Sequence, residues 1–110
     1  MAGGNRGIAL VTGGGRRIGR AIVERLAADG YAVVVHSSRR SLPEAEELAS
    51  GLRRAGRRAA AVAADLADAG ETSGLVAQAA AAFGPVSALV NNASIFEADE
   101  AQTFSAEAFD

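Results

Sequence analysis

Along this chain, short apolar runs alternate with longer stretches in which apolar residues return every third or fourth position. "GIALVT" at residues 7–12 stays apolar up to its final threonine, which is how a strand buried on both faces reads. Ile18, Ile22 and Leu26 then recur every four residues with Ala21 beside them, so residues 17–28 form a helix, stopped by Asp29-Gly30. "YAVVVH" at 31–36 is a second strand, rich in valine and bounded by turn residues. Ser41, Pro43 and Glu44 predict the next helix start, with an N-cap serine, a proline early in the first turn and a glutamate three residues after the cap. Ala45, Leu48 and Leu52 give that helix its apolar face, and Gly56 ends it. "RAAAVAAD" at 58–65 is a third strand, although mostly alanine. Leu75, Ala79 and Phe83 mark a third helix closed by Gly84-Pro85, and "VSALVNN" at 86–92 is a fourth strand. A polar loop follows, and Ser105 is placed to cap a fourth helix that has barely begun at Asp110.

The order is β-α-β-α-β-α-β with short connections. Continuous apolar strands separated by helices imply a parallel sheet covered on both faces. With right-handed crossovers, this is the N-terminal part of a Rossmann-type, doubly wound α/β fold. Residues 1–110 are enough for one domain and not two.

Composition narrows the function. Aromatics make up 5% of the chain, so there is no broad stacking platform for nucleic acid. The formal net charge is −2 and no long basic run occurs, which argues against non-specific binding to nucleic acid or to an acidic membrane. No apolar stretch approaches the ~20 residues of a spanning helix, and "MAGGNRG" lacks the apolar middle of a signal peptide. Cysteine is absent, so neither a disulfide frame nor thiolate chemistry is available. A cytoplasmic location is the default expectation. All 11 basic residues are arginine, so any mechanism that needs a lysine cannot be completed by these residues.

The chemistry concentrates first in "VTGGGRRIGRAI" at residues 11–22. Backbone N–H groups at a helix N-terminus carry partial positive charge and suit a pyrophosphate. Glycines let the main chain come close. The common G-x-G-x-x-G does not fit, because its third glycine would fall at Ile18, and a P-loop would need lysine. A tight strand–helix turn holding no ligand is the plainer alternative. Thr12, Gly13, Ile18 and Gly19 do fit T-G-x-x-x-G-x-G, provided that Arg17 stands in place of the middle glycine.

With that loop, Asp65-Leu66 after the third strand, Asn91-Asn92-Ala93 after the fourth, and this strand–helix order, the chain resembles the short-chain dehydrogenase/reductase family. The resemblance covers essentially the whole chain but only the N-terminal part of a typical member. The Arg17-Ile18-Gly19 form of the loop, "HSSRRS" and "NNASIF" are similar to the pteridine-reductase-like branch.

The end of strand two selects the cofactor. Readers of NAD usually carry an acid there for the ribose 2′-hydroxyl, whereas arginine accommodates a 2′-phosphate. Here the stretch is His36, Ser37, Ser38, Arg39, Arg40 and Ser41, with no acid. Arginine with hydroxyl donors suits a phosphate dianion, and Arg16 in the loop is within reach of the same group. NADP(H) is therefore the expected cofactor. A solvated turn is the alternative for Arg39 and Arg40, and strand-end packing for His36.

The resemblance implies further roles. Asp65 would accept from the adenine amino group with the Leu66 backbone alongside, unless it simply caps the next helix. Asn92 and Ala93 would line the ribose and nicotinamide, while Asn91 would tie strand four to the first loop. Ser94 and Phe96 would lie at the substrate, the phenyl ring stacking on a flat heterocycle, with loop packing as the alternative for Phe96. No metal site is expected.

The family reaction is hydride transfer between nicotinamide and a carbonyl or imine. Its proton donor is a tyrosine, with a lysine four residues on. The single tyrosine here is Tyr31, at the start of strand two, and four residues on stands Val35. The expectation is therefore the cofactor half of a longer, truncated polypeptide. It would lack later strands, leave strand four as an open edge, and belong to a homo-tetramer or homo-dimer at full length. Two functions follow. One is part of an NADPH-dependent reductase acting on a small-molecule carbonyl, pterin or 3-oxoacyl thioester. The other is a non-catalytic dinucleotide-binding module.

Overall fold

A computed structural model describes residues 6–14 and 17–92. The elements alternate as β1 (Gly7–Thr12), α1 (Arg17–Ala28), β2 (Tyr31–Ser37), α2 (Leu42–Arg54), β3 (Ala59–Ala63), α3 (Ala69–Phe83) and β4 (Ala88–Asn91). All strand pairs are parallel, in the order β3-β2-β1-β4. This is an α/β, Rossmann-type sheet, as the alternation of strand and helix patterns predicts.

Side chains alternate across a strand, and β2 uses both faces. Val33 and Val35 pack with Val11, Val23, Ala45 and Leu48, under α1 and α2. Val34 turns the other way, onto Leu10, Leu75 and Ala79, under α3. The sheet is therefore covered on both sides, and its central strands must be apolar without interruption. Leu10, Val11, Val33, Val34 and Val35 are fully buried. At ~1.5–3 kcal/mol for each such side chain, these strands anchor the molecule.

Element ends differ from the sequence pattern in small ways. The third strand is shorter than residues 58–65, but ladder bonds continue past both of its ends, from Val33 N to Arg58 O and from Ala64 N to Ser37 O, both 3.0 Å. Val86 and Ser87 precede β4, where Ser87 N donates to Ile8 O at 2.8 Å and leads the strand into register.

One cap is corrected. Ser41 sits at the N-cap of α2 but makes no side-chain cap bond. Its φ of −96° and ψ of 4° are turn values, where the extended conformation of a capping serine is required. Asp68 has that extended backbone and does cap, accepting Glu71 N–H at 3.1 Å ahead of α3.

Arg16, Ala93, Ser94, Phe96 and the helix expected at Ser105 lie outside the described residues. Among the described residues no helix is long and apolar enough to cross a membrane.

Candidate functional site

Because the sheet is parallel, the C-terminal ends of all the strands share one edge. Thr12 is in register with Asn91, and Ser37 with Ala63. At this edge, or in the loops that leave it, lie the described residues singled out for the cofactor, from Gly13 to Asn92. Between β1 and β4 the strand order reverses, which is where doubly wound sheets open a crevice for ligands.

The glycine loop leaves β1 at Gly13, which has φ +64°, a left-handed conformation natural to glycine. Three neighbours hold the loop. His36 Nδ1 accepts Gly13 N–H at 3.1 Å, and His36 O accepts Gly14 N–H at 3.0 Å. Asn92 Nδ2 donates to Gly13 O at 3.2 Å. Thr12 Oγ1 donates to Asn91 Oδ1 at 3.1 Å, which ties β4 to the loop as expected for Asn91.

Gly19 lies where α1 meets this loop. A β-carbon there would collide with Gly13 O and stand 2.7 Å from Asn92 Nδ2. The glycine is thus required by close approach of the backbone.

Arg17 opens α1 with φ +51°, the only described non-glycine residue with positive φ. The T-G-x-x-x-G-x-G spacing places a glycine at this position, and the backbone keeps the glycine conformation although arginine occupies it. Arg17 and Ile18 are both exposed at the helix start, Ile18 to 70%.

His36 is buried, and its Nε2 lies 3.0 Å from Ala64 O. That bond makes Nε2 the protonated nitrogen and leaves Nδ1 to accept from Gly13. Burial pushes the imidazole pKa below its ordinary value, opposed by the bond to Ala64 O. His36 thus holds the first turn of the loop, in addition to the strand-end packing considered from sequence.

The β2–α2 turn presents Ser38, Arg39 and Arg40 to solvent and leaves Ser41 half-buried. Ser38 Oγ accepts Ser41 N–H at 3.3 Å and shapes the turn. Arg39 Nη2 stands 2.9 Å from Glu71 Oε1. Asp65 is exposed after β3, and its Oδ1 accepts Ala67 N–H at 3.0 Å, with half-buried Leu66 between them. Sequence reasoning missed Glu71, although the Asp68-x-x-Glu71 spacing resembles a capping box. Here the glutamate reaches back to Asp65 N at 2.8 Å rather than to the cap residue.

These residues fit a dinucleotide. A glycine turn at a helix N-terminus offers backbone donors for pyrophosphate. An exposed guanidinium and an exposed carboxylate flank the same sheet edge at the ends of β2 and β3. Tyr31 belongs elsewhere, since it starts β2 at the opposite edge and packs against the core under α1. Among the described residues, no group of three or more His, Cys, Asp or Glu side chains is placed to hold a metal.

Comparison with known proteins gives the family. The family model described as short chain dehydrogenase matches residues 7–110. The short-chain dehydrogenase/reductase eriH of Hericium erinaceus is 46% identical over 56 residues, which cover 49% of this chain and 22% of that protein. The structure is similar to FolM alternative dihydrofolate reductase 1 from Brucella canis complexed with NADP. Identity is 47% and the TM-score 0.78, over 86% of this chain and 37% of that one. A blue fluorescent protein from a metagenomic library, in complex with NADPH, gives 45% identity and a TM-score of 0.79 over 87% of this chain and 39% of that one. The chain thus spans well under half the length of these relatives. Its match from β1 onward shows that it belongs to the short-chain dehydrogenase family.

Proposed function

We propose that this chain is the cofactor-binding half of an NADPH-dependent oxidoreductase, one that transfers hydride between the nicotinamide and a carbonyl or pterin-like substrate. The observation that carries the cofactor choice is Arg39, a guanidinium 65% exposed at the C-terminal end of β2, within a turn that has no acid of its own. Similarity to proteins crystallised with NADP and NADPH supports it.

In this reading the bound dinucleotide supplies the hydride, and the residues of this chain bind and orient it. Gly13, Ile18 and Gly19 form the pyrophosphate turn. Arg16, Arg39 and Arg40, with the Ser38 and Ser41 hydroxyls, take the 2′-phosphate. Ser41 makes no cap bond, which suits its hydroxyl to this use. Arg17 reaches a cofactor phosphate or the substrate. Asp65 and Leu66 hold adenine, and His36 and Asn92 keep the loop in shape. Ala93 lines the nicotinamide side, and Ser94 and Phe96 meet the substrate.

Titration by nicotinamide fluorescence tests the reading. The protein should bind NADPH more tightly than NADH. Arg39→Ala should weaken NADPH by about 10- to 100-fold, the worth of one or two charge-assisted contacts, and leave NADH within about twofold. Equal losses for both dinucleotides would remove Arg39 from the 2′-phosphate.

A further inference from the structure

The β2–α2 turn has no acid of its own, yet the fold brings one to it. Glu71, in the first turn of α3, places Oε1 2.9 Å from Arg39 Nη2. The same oxygen accepts Asp65 N–H at 2.8 Å. One carboxylate oxygen therefore joins the two loops assigned to the adenosine end of the cofactor. The Asp65 N–H first, and the Arg39 guanidinium second, hold the Glu71 carboxyl below the usual carboxylate range. It is ionised whenever the protein is near neutral pH. Its side chain is 30% exposed and that of Arg39 is 65% exposed, so the anchored partner is the acid and the arginine is the one that reaches solvent.

We infer that Glu71 is a specificity-determining positioning residue, setting through Arg39 how strongly the site prefers a dinucleotide with a 2′-phosphate over one without. This rests on the proposed function. A guanidinium has five donors, so Arg39 can serve a carboxylate and a phosphate together. The carboxylate takes up part of the guanidinium's donors and offsets part of its charge, so Arg39 draws a second anion less strongly than an unpaired arginine would. The cost falls on the 2′-phosphate dianion and spares a 2′-hydroxyl, which carries no charge. Glu71 thus holds Arg39 and the Asp65 loop in place while narrowing the preference for NADPH. Glutamine at this position keeps an acceptor oxygen for Asp65 N–H and removes the charge.

The test compares wild type, Glu71→Gln, Arg39→Ala and the double variant in fluorescence titrations with NADPH and NADH. Glu71→Gln should tighten NADPH by about three- to tenfold and leave NADH within about twofold, with the gain shrinking at high salt. In the Arg39→Ala background the same change should move the NADPH/NADH ratio by less than about twofold. Unchanged or weaker NADPH binding by Glu71→Gln overturns the inference, as does an equal gain without Arg39. Glu71→Ala guards against poor folding of the glutamine variant, because a ratio of affinities is read on folded molecules alone. Its ratio should rise too, and a ratio at the wild-type value overturns the inference. If wild type shows no preference that Arg39→Ala removes, the proposed function falls and this inference with it. If that preference is lost in Arg39→Ala but unmoved in Glu71→Gln, only the role of Glu71 falls.

Discussion

His36 Nδ1 accepts the Gly13 backbone N–H at 3.1 Å, so the first turn of the glycine loop is fixed by a side chain of the neighbouring strand. The other ring nitrogen is committed to Ala64 O, at 3.0 Å. One buried imidazole thereby spans the ends of three strands.

The bond to Gly13 requires an unprotonated Nδ1, which makes stability depend on pH. Burial lowers the folded-state pKa of His36 below the ordinary 6.5. Between that lowered value and 6.5 the unfolded chain binds more protons than the folded one. Stability is then fully present above about pH 6.5 and is lost as pH falls through this window. His36 is the one histidine in the sequence, so the loss can be assigned. Urea denaturation at pH 7.5 and 5.5 should show a drop in wild type that is absent in His36→Leu. At pH 7.5 that variant should already be less stable by about 1–3 kcal/mol, with Gly13 N–H and Ala64 O left without this partner.

Arg17 keeps a left-handed backbone that costs a non-glycine residue about 1–2 kcal/mol. Alanine would bear the same strain and glycine would not, although glycine gives back part of the gain in unfolded-chain entropy. Arg17→Gly should therefore be more stable than Arg17→Ala by about 1 kcal/mol, measured by thermal or denaturant unfolding. Both variants should bind NADPH more weakly than wild type if, as proposed, the Arg17 cation stands beside the cofactor's pyrophosphate. Equal stability of the two would show that the strain is relieved elsewhere.

Gly19→Ala should be costly for a different reason. Its β-carbon would meet Gly13 O, Asn92 Nδ2 and Gly14 Cα, and two of the three are backbone atoms. The loop would have to lift off α1. A loss of about 1–3 kcal/mol is expected, together with loss of dinucleotide binding. Gly74→Ala on the exposed side of α3, where nothing lies within 4 Å, is the control and should be neutral or slightly stabilising.

The elements were legible because the strands are apolar runs and apolar residues repeat at helical spacing in all three helices. Helix α1 runs over residues 17–28, as Ile18, Ile22 and Leu26 predict. Local chemistry was less legible at Ser41, where the cap residue type was right but the turn before it, shaped by Ser38, holds the backbone away from capping geometry. The least legible contacts are those between distant positions. Glu71 looks like an ordinary first-turn acid of α3, and only the packing of α3 beside the β2–α2 turn makes it the partner of Arg39. His36 reads as an isolated strand-end residue until the register of three strands sets its ring between Gly13 and Ala64. Pattern reveals what a segment is, while the use of a polar atom depends on what arrives opposite it.

The bonds that shape the glycine turn also order events in time. Gly13 is tied to His36 across 23 positions, and to Asn92 across 79. Thr12 is tied to Asn91 across 79 as well. Contacts of such separation form late, because a long stretch of chain must be closed before they give anything back. The glycine turn is thus synthesised well before the residues that hold it, and takes its shape only after they arrive. Until β4 has docked on β1, a nascent chain has the glycines but not the bonds to Asn91 and Asn92 that set the turn.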